Sequence, residues 1–457
     1  MKFNLYYEFF RSYSRFGLKQ AFCRKFQTEG YKDYLVPLKH HPSILTCDHQ
    51  NALVDALHLG AALRREYQPY FWTRSDIFGS FFDPILRSWK LRPIYRAQDN
   101  IKDVVKANEE IFDEMVQKFS QGDRLIIFPE GNHSRVRRLR PLKKGFVRMA
   151  FQAEERHNFT LDMLIFPCGV NYSEHLYPGA EVFVKFGPPI RLADYRELYD
   201  QNPNRAMIDI RRDTAEAMKK LIHHISNETF YEVIDSVRDF GGKSLLHAEG
   251  KEIDDLSLRF VKEKEIIALL ESKIDAQDSA WEPFAETVKS YQTILNEEKI
   301  TDDEVRNKPA ATTGLLLQAL LFLIGLPIYG FGTLFNILPY GFANRFAINK
   351  LKDDHFHSSI RFAFSLFLYP IYWIILWAIG WAITGSFTAS LLWLSALIAS
   401  AIFALRYYRA WKDFGKKWRW NRIVNSNQAL AEKIRDLRGA WWTQLSSWYQ
   451  MLPTVKQ

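Results

Sequence analysis

Three apolar runs in the last third of the chain, Leu315 to Leu338, Phe362 to Ile383 and Phe387 to Leu405, limit what it can fold into. In hydrocarbon every backbone N–H and C=O must be satisfied within the chain, so such runs are read as helices. A helix of about 20 residues spans a bilayer core, and the second and third runs are long enough. Only Thr384, Gly385 and Ser386 separate them, which predicts a tight hairpin. Arg361 precedes it and Arg406, Arg409, Lys412, Lys416 and Lys417 follow, so both its ends are expected on the cytosolic side. The first run contains Gly325, Pro327, Gly330 and Gly332. A single crossing there would part everything before it from the segment Arg345 to Arg361, whose Lys350 and Lys352 read as cytosolic. Residues 315–338 are therefore expected to form a bent, re-entrant hairpin, with a buried pair of core helices as the alternative.

The remaining chain is long enough, within 457 residues, for two or three domains. A formal charge of +9 suits nucleic acid, anionic lipid or a phosphorylated substrate. The apolar runs favour lipid and phosphate, and no nucleic-acid recognition fold is apparent. Cys23, Cys47 and Cys168 lack metal-ligand spacing and read as reduced, structural thiols. The first 22 residues have no secretory core or cleavage site. As a helix they would set Phe3, Tyr6, Phe10 and Tyr13 on one side and Arg11, Arg15 and Lys19 on the other, which suits either a membrane interface or a surface helix packed on the domain.

Chemistry concentrates first at PSILTCDHQNALVDAL, residues 42–57. Ser43 to Cys47 reads as a buried strand that delivers Asp48 and His49 to its carboxyl end, before a helix capped by Asn51. In open α/β sheets, ligands bind beyond those ends. Asp55, one turn into the helix, can share a pocket with His49, and an imidazole oriented by a carboxylate is a general base at neutral pH. Taken alone, a His and an Asp at this spacing also occur by chance.

Further strands bring polar residues to the same edge. Residues 101–120 read as an amphipathic helix ended by Gly122, followed by a strand from Arg124 that stops at Pro129 and leaves Glu130 and Gly131 at its end. Asn132, His133 and Ser134 follow, then Arg135, Arg137, Arg138, Arg140, Lys143 and Lys144. Such a run is a solvated loop, a lipid-surface contact or, beside a glycine turn, a phosphate site. Met163 to Cys168, with Pro167, and Val182 to Phe186 read as third and fourth strands. Strands alternating with helices predict an α/β layer structure.

The order of DHQNALVD at 48–55, PIYR at 93–96, FPEGNHS at 128–134 and FPCGVNY at 166–172 resembles the four blocks of the glycerolipid acyltransferases, over roughly residues 30–230. The resemblance implies an acyltransferase sheet flanked by helices, with His49 as base and Asp55 as its partner. It implies phosphate contacts from Arg96, Glu130 and Gly131, with Ser134 and Arg135 beside them, and places Pro167 in the acyl-donor region. Three departures stand out. Five residues, where relatives have four, separate His49 from Asp55, so the turn at Gln50 or Asn51 must absorb one. Asp48 stands where an Asn is usual and competes as the partner of His49. His133 replaces an Arg, which passes its phosphate contact to Arg135 or its neighbours.

These readings divide the chain into an interfacial helix (1–29), a catalytic domain (30–230), a charged helical arm (231–312), a membrane module (313–405) and a basic, Trp-rich cytosolic tail (406–457). The arm is expected to pack on the catalytic domain or to join chains into an oligomer. Trp411, Trp418, Trp420, Trp441, Trp442 and Trp448 suit an interfacial position. The module after a charged arm, with Asp353, Asp354, His355 and Phe356 between apolar runs, looks like fungal-type enzymes that acylate glycerol-3-phosphate or dihydroxyacetone phosphate. The expected partners are one of these, an acyl thioester on coenzyme A or a carrier protein, and membrane lipid, without metal or further cofactor. Acylation of lysophosphatidate is the rival within the class, and a non-catalytic lipid-binding scaffold the rival outside it.

Overall fold

The computed structural model describes residues 3–79, 83–95, 103–175, 179–350 and 356–451. Arg96, Asp353, Asp354 and His355 lie outside them. The chain forms two compact units, residues 1–222 with 344–366, and residues 223–343 with 367–457. Residues 344–366, which the sequence assigned to the membrane module, thus fold with the first unit.

The first unit holds a sheet of eight strands among the described residues: β1 (Lys25–Glu29), β2 (Ser43–Cys47), β3 (Tyr70–Arg74), β4 (Leu91–Ile94), β5 (Arg124–Ile127), β6 (Leu164–Tyr172), β7 (Glu181–Phe186) and β8 (Ile190–Arg191). Their order is β1-β7-β6-β2-β5-β3-β4, with β8 beside β6. Strands β6, β2, β5, β3 and β4 run parallel, while β7 is antiparallel to β6. The central strand β2 is buried along its whole length, as a parallel strand covered on both faces must be.

Side chains alternate across the sheet. Leu45, Cys47, Ile126, Leu164 and Phe166 enter one core, and Ile44, Leu125 and Ile165 enter the other. Helices α1 (Leu5–Gly17) and α2 (Ala52–Ala62) contribute to the first core. Of the helices that follow, α3 (Asp83–Ser88), α4 (Val104–Phe119), α5 (Gly145–Arg156), α6 (Arg196–Gln201) and α7 (Pro203–Lys219), three, α4, α5 and α7, supply buried residues to the second. Asp103 caps α4 through the amide of Lys106, and Gly122 follows its end at a φ of 76°. Pro167 has no N–H to give, and it sits where β6 exchanges β8, paired at Leu164 and Ile165, for β7, paired from Cys168.

Helix α1 presents a different face from the expected one. Its arginines point inward: Arg11 donates to the carbonyls of Arg64 and Tyr67, and Arg15 to that of Leu63. These carbonyls lie at and beyond the C-terminus of α2, where the helix dipole favours a cation. Leu5, Tyr6, Phe9 and Phe16 are exposed, and Phe10 stacks on Trp89.

In the second unit, α8 (Tyr231–Ala248), α9 (Leu256–Asp275), α10 (Trp281–Glu298) and α11 (Asp302–Arg306) share a core with the end of α14 (Phe387–Ser426) and with α15 (Gln428–Gln450). The charged arm and the tail therefore form one helical bundle. Trp420, Trp441 and Trp448 are buried in that core, which corrects their interfacial placement, while Trp411 and Trp418 remain exposed.

Three helices among the described residues are long and apolar enough to cross a membrane: α12 (Thr312–Lys350), α13 (His357–Thr384) and α14. The hairpin expected over 315–338 is instead part of one continuous helix, α12, with Pro327 and Pro339 inside it. Its neighbours nevertheless advance and recede. Phe322 lies against Tyr407, Trp411 and Phe414, and Gly332 against Ser400. Asn336 takes a hydrogen bond from Trp373 and approaches the Leu397 carbonyl, and Phe346 then meets Phe364. Within the second unit, α12 thus advances along α14 from Tyr407 toward Leu397, on the way to the Gly385 turn.

Candidate active site

Adjacent strands set the site. β2 and β5 pair in parallel, up to Thr46 opposite Ile127. Continued past their ends, the same register brings His49 opposite Glu130. The amide of His49 donates to Glu130 Oε1 at 2.9 Å. Glu130 Oε2 accepts from the amide of Arg140 at 3.1 Å and from its Nε at 2.9 Å. With both oxygens engaged, Glu130 joins the His49 turn to the basic loop. The loop is fixed twice more, by Ser134 N to His49 O at 2.9 Å and Lys143 N to Pro129 O at 2.7 Å.

The imidazole of His49 stacks on Phe128, its ring centroid 4.3 Å away, and meets His133 edge-on. Its Nδ1 is 2.8 Å from Asp55 Oδ2. With Nδ1–H given to the carboxylate, Nε2 keeps the lone pair that can take a proton. Asp55 is fully buried, and the Asn51 amide donates to the same oxygen at 2.7 Å. Its other oxygen accepts the phenol of Tyr172 at 2.5 Å. Because that carboxylate can only accept there, Tyr172 is the donor and takes a bond from His58 Nδ1 at 2.9 Å. His58 Nε2 then accepts from the Cys23 thiol at 3.3 Å. Burial lowers the pKa of His58 to about 4 and raises that of Tyr172, so both are neutral in the folded chain.

Five residues between His49 and Asp55 are accommodated at the Asn51–Ala52 turn. Ala52 takes a left-handed φ of 44° and Asn51 a φ of −135°, after which the helix starts. A non-glycine residue there carries strain, held in place by its surroundings. Asp48 does not partner His49. Its Oδ1 accepts the Val170 amide at 2.9 Å and its Oδ2 the Gln50 side chain at 2.5 Å. Burial, then the charges of Asp55 and Glu130, raise its pKa to about 7.

The other expected site residues divide. Gly131 takes a φ of 80°, and a Cβ there would lie 3.6 Å from the Lys143 side chain, which therefore runs across it. Ser134 and Arg135 are half-buried in the loop beside His133. Within the basic run, Arg137 is buried and donates to the carbonyls of Tyr172 and Ser173. Arg140 is bound to Glu130, while Lys143 and Lys144 are exposed. Pro167 is buried within β6. Tyr172 and His58 were missed by the sequence reading, although Tyr172 closes the fourth block.

Residues 28–171 match the family described as Acyltransferase. Among solved structures, the 1-acyl-sn-glycerophosphate (LPA) acyltransferase PlsC from Thermotoga maritima is similar with a TM-score of 0.34 and 16% identity, over 47% of this chain and 79% of that one. No curated protein matches.

Proposed function

From the premise that residues 28–171 carry an acyltransferase-family domain, we propose that the chain moves a fatty acyl group from a thioester to the sn-1 hydroxyl of glycerol-3-phosphate, or to dihydroxyacetone phosphate. The contact of His49 Nδ1 with Asp55 carries this reading. As the acceptor hydroxyl attacks the thioester carbonyl, its proton passes to His49 Nε2. Collapse of the tetrahedral intermediate then expels the thiolate, which takes that proton. Asp55 holds the ring and stabilises the transient imidazolium, assistance that contributes about 100- to 10,000-fold in rate. The donor is an acyl thioester of coenzyme A or of a carrier protein, and Pro167 belongs to the region that receives it.

Arg135 and Lys143 would meet the acceptor phosphate near Gly131 and Ser134, with Glu130 fixing the loop that carries them, and the resemblance assigns Arg96 to the same phosphate. Orientation of a bound phosphate fixes the attacking oxygen near the carbonyl. The exposed face of α1, Leu5, Tyr6, Phe9 and Phe16, supports contact with a lipid surface. The cations that flank the apolar helices support both ends of α12 on one side, with α13 and α14 as the transmembrane hairpin and the catalytic unit on the cytosolic face.

Acyl transfer by membranes holding the full chain tests this, with glycerol-3-phosphate, dihydroxyacetone phosphate and lysophosphatidate offered separately. Transfer to either of the first two is expected. Transfer to lysophosphatidate alone keeps the chemistry and changes the acceptor. No transfer to any of them returns the chain to the scaffold reading.

A further inference from the structure

We propose that Ser358 and Ser359, in the first turn of α13, are positioning residues for the base His49, a role that rests on the acyl-transfer reading above. Three hundred residues of chain separate them from the turn they touch. Ser358 Oγ donates to Asn51 Oδ1 at 3.0 Å, and Ser359 Oγ donates to the Asn51 carbonyl at 2.9 Å. Both serines are buried, at 3% and 0% exposure.

Asn51 is held on every polar group. Its amide donates to Asp55 Oδ2 at 2.7 Å, and its side-chain nitrogen donates to the His175 carbonyl at 2.9 Å, which fixes the amide orientation. The Ser358 hydroxyl satisfies its side-chain oxygen, and its carbonyl accepts both the Ser359 hydroxyl and the Val54 amide, the latter at 3.1 Å. The next residue, Ala52, is the left-handed one, so the turn that places Asp55 is not a conformation the local sequence prefers. The serines supply bonds that hold it from outside. Their removal leaves the Asn51 side-chain oxygen without its donor, takes one of two donors from its carbonyl and lets the turn relax, which misaims the carboxylate behind His49.

The same segment also packs against the ring that neighbours the imidazole. Phe356 packs edge-on against His133 at 4.5 Å and lies under the Arg74 guanidinium at 5.8 Å, and His133 faces His49. Phe362 and Leu366, one and two turns further along α13, enter the core beside Phe22 and Gly17. The start of this helix is therefore part of the catalytic unit, fastened by apolar contacts that the serine changes leave in place.

The test uses the full chain in membranes, with Ser358→Ala, Ser359→Ala and the double variant measured against wild type and His49→Ala. The double variant is expected to lose roughly ten-fold in kcat, with KM for both substrates within about two-fold. The acidic limb of its kcat/KM profile is expected to move to lower pH, because the imidazolium loses a well-aimed carboxylate. Ser358→Thr, which keeps the hydroxyl, is expected to stay within about three-fold of wild type. If the double variant does not fold, the single variants are read in the same way. Wild-type kcat and an unmoved pH profile in the alanine variants, with His49→Ala inactive, overturn the positioning role alone. A wild-type protein that acylates no acceptor overturns the underlying reading and this role with it.

Discussion

The phenol of Tyr172 donates to Asp55 Oδ1 at 2.5 Å, on the oxygen opposite the one that faces His49. The carboxylate is thereby gripped from the ends of two strands at once, since His49 follows β2 and Tyr172 ends β6. Tyr172→Phe removes a bond to a charged group and leaves the His58 Nδ1–H unpaired. A loss of about 1.5–3 kcal/mol is expected in stability. Steady-state kinetics should show kcat reduced about ten-fold with KM little changed. An unchanged kcat would mean that Asn51 alone suffices to aim Asp55.

Asp48 and His58 make opposing contributions to stability against pH. Asp48 titrates near 7 when folded, above the roughly 3.9 of a free carboxyl, so its contribution is full below about pH 4 and is lost as pH rises through 7. His58 titrates near 4 when folded, below the roughly 6.5 of a free imidazole, so its contribution is full above about pH 6.5 and is lost as pH falls toward 4. The two offset each other across most of that range. Asp48→Asn is therefore expected to gain about 4 kcal/mol on wild type between about pH 4 and pH 8. His58→Gln should show the opposite trend. Thermal melts of both variants across that range check the pair, and parallel curves for wild type and Asp48→Asn would contradict it.

The basic run separates into a buried member, Arg137, and exposed members such as Lys143, which is proposed to meet the acceptor phosphate. Arg137 holds two carbonyls from a buried position, so Arg137→Ala is expected to lose about 2–3 kcal/mol in stability while KM stays near wild type. Lys143 is exposed and lies across Gly131, so Lys143→Ala should leave stability unchanged and raise KM for a phosphorylated acceptor by about 1 kcal/mol, roughly five-fold. Added salt should weaken the wild type toward the variant. Thermal melts beside acceptor titrations distinguish the two.

A cysteine introduced near Thr312 and another near Lys350 should both react with an impermeant maleimide added from the cytosolic side. One near Gly385, in the turn between α13 and α14, should react only from the other side. Labelling of the first two from opposite sides would make α12 a simple span.

The central strand and its ends were legible in the sequence. β2 was bounded correctly, and the strand read as running from Arg124 to a stop at Pro129 is β5, which ends two residues before that proline, at Ile127. The expected helix over 101–120 was found as α4. What the sequence did not show depends on partners far along the chain. Tyr172 meets Asp55 across 117 positions, and the serines of α13 meet Asn51 across more than 300. Amphipathic patterning marks a face but not what covers it. Arg11 and Arg15 therefore turned out to be inward caps on α2, and Trp420, Trp441 and Trp448 a bundle core.

The most direct measurement is labelled acyl transfer by membranes containing wild type or His49→Ala, normalised to folded, inserted protein. A base that takes the acceptor proton at Nε2 predicts that transfer vanishes in the variant, with membrane insertion and melting temperature preserved. Transfer near the wild-type rate in His49→Ala would contradict the assignment of the base, and with it the mechanism built on the His49–Asp55 pair.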